Sequence, residues 1–168
     1  MPERAVSARF ISRRSSMGIS YEDLEVGSRT EVGKHRFTAD EIVTFAQAYD
    51  PQPFHVDAQA AKSSMFGGLV ASGWHTCSVF MGMLVRGVLQ GSTSMGSPGI
   101  EEIRWIKPVR AGDTITMYNK ILDKRLSESK PDRGIVTTEW EGVDEQGETV
   151  ITVRSKVIFG LRSPQVRA

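Results

Sequence analysis

The hydrophobic period of this chain changes once, near Gly99, and that change limits the folds open to it. Before that point apolar residues recur at helical spacing; after it they alternate. Ile42, Phe45, Ala46 and Tyr49 fall at i, i+3, i+4 and i+7, one stripe of an amphipathic helix. Thr38-Ala39-Asp40-Glu41 in front of it fits a capping box, in which the Thr38 hydroxyl and the Glu41 carboxylate each satisfy an orphan amide. Pro51 and Pro53 end that helix, because proline lacks the amide proton and disfavours helical geometry in the residue before it. Asp57 is placed to cap a second short helix over residues 58–64. Over residues 73–89 the chain is apolar nearly all round, with Trp74, Val79, Phe80, Met83, Leu84 and Val88, the composition of a buried helix. Residues 91–99, rich in Gly and Ser, form a surface loop.

Residues 100–109, 114–123, 135–143 and 149–159 alternate and read as strands, as does the stretch 30–37 upstream. Residues 143–148 are placed to make a hairpin connection. Helices early and antiparallel strands late define an α+β domain, with the buried helix packed on one face of the sheet. A chain of 168 residues buries about 70% of the surface its unfolded form exposes, enough for one domain without disulfides. That domain is expected over residues 19–162, with an extension at 1–18 and a tail at 163–168.

Composition removes several classes of function. Twenty-one basic residues stand against 20 acidic ones, and no nucleic-acid module is visible, so a nucleic-acid partner is not expected. The longest apolar stretch, 79–89, is interrupted by Gly82, Arg86 and Gly87 and falls short of the ~20 residues a membrane span needs. Cys77 is the only cysteine, which rules out an intrachain disulfide and makes a reducing cytoplasm the expected setting. The extension carries Arg4, Arg9, Arg13 and Arg14 against Glu3. An Arg-rich, acid-poor start has the composition of a transit peptide; a flexible extension, or a true start at Met17, fits it equally.

Two features carry chemistry. Asp50 and His55, in Asp50-Pro51-Gln52-Pro53-Phe54-His55, lie on a proline-stiffened segment between helices. Adding water across a double bond needs a group that takes a proton from water and one that returns a proton to carbon. Aspartate and histidine do both near neutral pH if they share one water. Spacing alone is equally met by an aspartate capping the loop and a histidine satisfied in the core. The second feature is Gly67-Gly68-Leu69-Val70-Ala71-Ser72-Gly73, before the buried helix. Its last amides form a helix N-terminus, where unpaired N–H groups favour negative charge such as a developing enolate. A glycine needed only for close packing gives the same pattern.

Other patterns fail. Ser72 is not in a Gly-x-Ser-x-Gly elbow, because position 70 is valine. His35, His55 and His75 fall at intervals without metal-ligand spacing, so no metal is expected. Cys77 reads as a small core residue.

The run from Phe45 through Asp50 and His55 to Asp57 resembles the signature of the MaoC-like dehydratases, the (R)-specific enoyl-CoA hydratase group, with Asp-x4-His intact. Phe66 with Ala71-Ser72-Gly73-Trp74 falls where that family has its second site segment. Ile103-Arg104-Trp105 and Lys107-Pro108-Val109-Arg110-Ala111-Gly112-Asp113 resemble its strand and turn after the central helix. The likeness runs from about Tyr21 to Phe159. It implies the hot-dog fold, a long helix wrapped by a curved antiparallel sheet, paired into homodimers or larger assemblies of dimers. It implies that Asp50 and His55 hold and activate water while the Gly73 amide faces the thioester carbonyl of a trans-2-enoyl thioester, with no cofactor beyond the coenzyme A of the substrate. Two departures touch the pocket: Gln52 stands where many members have Asn in Asp-x-Asn-Pro-x-His, and Ser72 where many have His before the glycine. Arg104, Lys107, Arg110, Lys130 and Arg133 are the basic residues placed to meet coenzyme A, since Arg matches phosphate geometry, although each also fits a solvated strand end or turn. Trp74, Phe80 and Met83 suit either an acyl tunnel or the core. Two other activities share the fold: an acyl-CoA thioesterase, and a non-catalytic acyl-thioester-binding subunit.

Overall fold

The computed structural model describes residues 18–163. Five antiparallel strands, β1 (Arg29–Arg36), β2 (Gly99–Trp105), β3 (Thr114–Leu126), β4 (Arg133–Val143) and β5 (Thr149–Gly160), form one sheet in the order β1-β3-β4-β5-β2. Burial along β4 alternates residue by residue, the sign of a sheet with one covered face. That face presents Ile115 and Met117 of β3, Trp140 of β4, and Ile151 and Val153 of β5. Helix α4 (Gly73–Leu84) lies on it and adds Phe80, Met83 and Leu84 to the same core. Elsewhere on the sheet, charged side chains of β1, β3 and β4 pair laterally, Arg29 and Lys120 both meeting Glu141. Apolar residues face α4 while charges pair away from it, so the α+β expectation holds.

Three shorter helices carry the chain across the end of the sheet: α1 (Ala39–Tyr49), α2 (Pro53–Val56) and α3 (Ala58–Lys62). Pro53 opens α2, where its missing N–H costs nothing. Asp57 caps α3 by accepting from the N–H groups of Gln59 and Ala60. The β4–β5 hairpin is closed by Asp144, whose carboxylate accepts from the amides of Gln146 and Glu148, with Gly147 at φ +83°.

Several sequence expectations change. Helix α4 is not buried all round: Trp74 is 55% exposed, and Met81 and Val85 share its open side. Its last turn widens to a π-helical turn, Val85–Leu89. Tyr49 does not complete the inner stripe of α1; it is 76% exposed and packs on Phe45. The capping box is half formed. Thr38 Oγ1 accepts from the Glu41 amide at 3.3 Å, but the Glu41 carboxylate turns to His35 Nε2, 2.6 Å away, instead of the Thr38 amide. Strand β2 ends at Trp105 rather than at residue 109. No helix among the described residues is long and apolar enough to cross a membrane. Apart from Gly18 and Ser163, the extension and tail lie outside the described residues.

Candidate active site

Asp50 ends α1 as its C-cap, and its side chain is held at both oxygens. Gln52 Nε2 donates to Oδ1 at 2.8 Å and Ser72 Oγ donates to Oδ2 at 2.7 Å. Burial pushes the carboxyl's pKa up, but the bonds from Ser72 and Gln52 and the proximity of His55 outweigh it, so the group is held below its ordinary value. His55 is carried on α2 and is buried. Its Nδ1 lies 2.7 Å from the Val70 carbonyl oxygen. A carbonyl only accepts, so Nδ1 carries the proton, and in the neutral ring Nε2 keeps its lone pair. Nε2 lies 3.4 Å from Asp50 Oδ2. Val70 is itself anchored: its amide donates to the Phe54 carbonyl, and it bridges to Arg110.

Ser72 joins this pair to α4. It is the helix N-cap, accepting from the Trp74 amide at 3.2 Å with the same hydroxyl that donates to Asp50. Gly73 follows as the first helical residue, with an N–H that has no partner inside the helix. Its missing side chain makes room for the Trp105 indole, which a Cβ would meet at 2.4 Å. Asp50, His55 and Gly73 line one open cavity of about 520 Å³, whose walls include Phe54, Phe66, Trp105 and Ile151. The arrangement places a base, an ionised carboxylate and a helix N-terminus around one apolar-walled space.

The remaining sequence candidates divide. Gln52, Trp74 and Lys107 also line the cavity. Lys107 is already paired with Glu148 and Asp144. Arg110 sits just behind the lining, donating to the Phe66 carbonyl at 2.7 Å. Three are not gathered by this chain. Arg104 pairs with Glu102 and is absent from the lining. Lys130 and Arg133 lie at the opposite end of β4, roughly 30 Å along the strand from the cavity, and Arg133 is paired with Asp132. Phe66, placed by the resemblance in the second site segment, is a wall residue, whereas Trp105 and Phe54 were missed as such. For Trp105 the available signal was Gly73 itself, since a glycine at a helix start marks a close approach. Burial pushes the Cys77 thiol up, which suits a core residue. Among the described residues, no group of three or more His, Cys, Asp or Glu side chains is gathered to hold a metal ion.

The profile of the MaoC like domain matches residues 25–143. The MaoC-like dehydratase from Rhodospirillum rubrum superposes with a TM-score of 0.78 at 41% identity, over 87% of this chain and 99% of that one. The (R)-specific enoyl-CoA hydratase of Aeromonas caviae is 29% identical over 138 residues, 79% of this chain and 98% of that protein. The structure of the A. caviae (R)-hydratase matches with a TM-score of 0.64. Mesaconyl-CoA hydratase of Haloarcula marismortui is 36% identical over 67 residues, 39% of this chain but only 19% of that longer protein. The fold is the hot dog of these structural neighbours.

Proposed function

The chain belongs to the MaoC-like domain family, and from that premise and the cavity's geometry we propose that it is a hydro-lyase acting on an acyl thioester. It interconverts a trans-2-enoyl-CoA and the (R)-3-hydroxyacyl-CoA. The observation that carries this reading is the approach of His55 Nε2 to Asp50 Oδ2 at 3.4 Å, inside the cavity that Gly73 also lines.

A water that bridges those two atoms from the cavity side is polarised by both. Neutral His55 takes its proton at Nε2, while the ionised Asp50 accepts from the other O–H. The water oxygen bonds to C3 as the C2–C3 π electrons move toward the thioester carbonyl. The oxygen that gains charge is held by the Gly73 N–H at the positive end of α4. The imidazolium then returns its proton to C2 as the enolate collapses. One water is consumed and water is the only co-reactant; coenzyme A enters as part of the substrate.

Lys107 and Arg110, nearest the cavity, are the cations we assign to the coenzyme A phosphates. Arg104, Lys130 and Arg133 serve only if a subunit contact brings them to a neighbour's site. We also propose a homodimer: Trp74, Met81 and Val85 form an exposed apolar stripe on α4, and β2 is a sheet edge. A monomeric mass in light scattering overturns that part. The cytoplasm remains our placement, on the single free cysteine Cys77.

The test is hydration of crotonyl-CoA and a panel of longer and branched enoyl-CoAs, followed at the thioester-enone absorbance, with free-thiol release as the control for hydrolysis. Turnover by hydration supports the proposal. No turnover on any member, or thiol release instead, overturns it.

A further inference from the structure

The side of α4 that meets the sheet is marked by Gly73, Thr76, Phe80 and Leu84, three or four residues apart. Gly73 and Thr76 line the catalytic cavity. Leu84, with Val88 and Leu89 beyond it, lines a second space of about 10 Å³ at the other end of the helix. Phe80 stands between the two and is fully buried. Its ring fills the notch left by Gly142, where a Cβ would come within 2.6 Å of Phe80 Cζ and 2.7 Å of Ile151 Cγ2. Gly142 and Ile151 are direct cross-strand partners, and Ile151 is part of the catalytic cavity's wall. The ring therefore stands immediately behind that wall, with Trp140 and Val153 in the same core beneath α4.

We infer that Phe80 is the residue that sets acyl-chain length, and that the substrates are short enoyl thioesters of crotonyl size. The inference rests on the hydratase reading above. A thioester whose carbonyl meets Gly73 and whose C3 meets Asp50 and His55 has its coenzyme A arm at the open side of the cavity. Its acyl tail points inward, toward the wall that Ile151 makes beneath α4. Inward, the cavity is walled by Ile151 with the Phe80 ring packed behind it, and the space beyond Phe80 is no larger than a water needs.

The experiment compares kcat/KM for crotonyl-CoA and trans-2-decenoyl-CoA in the native protein, Phe80→Leu and Phe80→Ala. Calorimetric binding of the unreactive butyryl-CoA and decanoyl-CoA is measured alongside. The native protein is expected to favour the short chain by about tenfold or more, the scale set by small misfits in an apolar pocket. Phe80→Leu keeps an apolar side chain while giving up the ring, and is expected to move the ratio toward the long chain by at least about tenfold. A native protein that handles both chains equally, or a folded Phe80→Leu with an unchanged ratio, overturns the inference. If neither variant folds, the native chain-length profile decides alone. If nothing is hydrated by any form, the hydratase reading fails, and the binding ratio of butyryl-CoA to decanoyl-CoA still decides the chain-length claim.

Discussion

His55 turns Nδ1 to the Val70 carbonyl at 2.7 Å and Nε2 to Asp50 Oδ2 at 3.4 Å. The bond behind the ring fixes its tautomer, so the nitrogen that meets the carboxylate is the one able to take a proton. The two residues come from different helices, and the three-residue link between α1 and α2, containing Pro51, holds one against the other.

If both residues act on one water, neither is useful without the other. Asp50→Asn and His55→Ala should each lower kcat/KM for crotonyl-CoA by at least about 100-fold. The double variant should lose little more than the worse single, as happens when residues act as a unit. Steady-state hydration assays on the three variants read this directly. Losses that multiply would mean that the two side chains serve separate steps.

Ser72 joins the carboxylate to the helix start, so Ser72→Ala has two separable effects. Loss of the N-cap should cost about 1 kcal/mol in denaturant unfolding near neutral pH. Loss of the bond to Asp50 should raise the carboxyl's pKa, because that bond is one of the forces holding it down. The sign follows from linkage. A carboxyl depressed in the folded state stabilises above its unfolded pKa, and that stability is lost as pH falls through the folded value. In Ser72→Ala the folded value rises toward the unfolded one, so this acid loss should shrink and end at higher pH, and the acid limb of the kcat/KM profile should move to higher pH. An acid limb that stays in place would leave Ser72 as a helix cap alone.

How much of this was legible in the sequence depended on whether a signal was local. Thr38, Asp57 and the Asp144–Glu148 turn announce themselves within a few residues, and each forms its cap or turn. The strands were readable because alternation reports one covered face. What local pattern does not contain is which strand lies beside which. β2 joins β5 about 50 residues later, and that pairing decides that Trp105 packs on Gly73. The same limit applies to Lys130 and Arg133, plausible phosphate ligands by residue type but carried to the far end of β4. The reading of α4 as buried all round failed for another reason. Trp74, Met81 and Val85 are apolar yet face outward, and composition alone does not say whether such a stripe is covered.

Trp105 and Gly73 offer a test of contact. Gly73→Ala places a methyl 2.4 Å from the indole, so Trp105 must swing away or the helix start must shift. Trp105 is 49% exposed and has room to move, so stability should fall modestly while activity, which depends on the Gly73 amide position, falls further. Trp105→Ala should relieve the clash. In a double-mutant cycle the pair should show a clear coupling in kcat/KM, with the double variant more active than Gly73→Ala. Additive effects would show that the indole does not press on this glycine.

His75 should make the fold sensitive to acid. It stacks on Phe45 at 4.7 Å and meets Phe37 edge-on, and its Nδ1 is buried without a hydrogen-bond partner among the described residues. The charged groups near it are Glu41, 3.9 Å from Nε2 and already bonded to His35, and His35 itself. Burial pushes its pKa down, Glu41 pulls it up and His35 pushes it down, with a net lowering from the ordinary value of 6.5. The folded state therefore binds its proton less readily than the unfolded chain. Stability is full above the unfolded pKa and is lost as pH falls below it toward the folded value. His75→Phe keeps a flat ring against Phe45 and removes the titration. Urea unfolding at about pH 7 and about pH 5 should show the native protein losing more stability on acidification than the variant. Equal losses in the two proteins would place the acid sensitivity elsewhere in the fold.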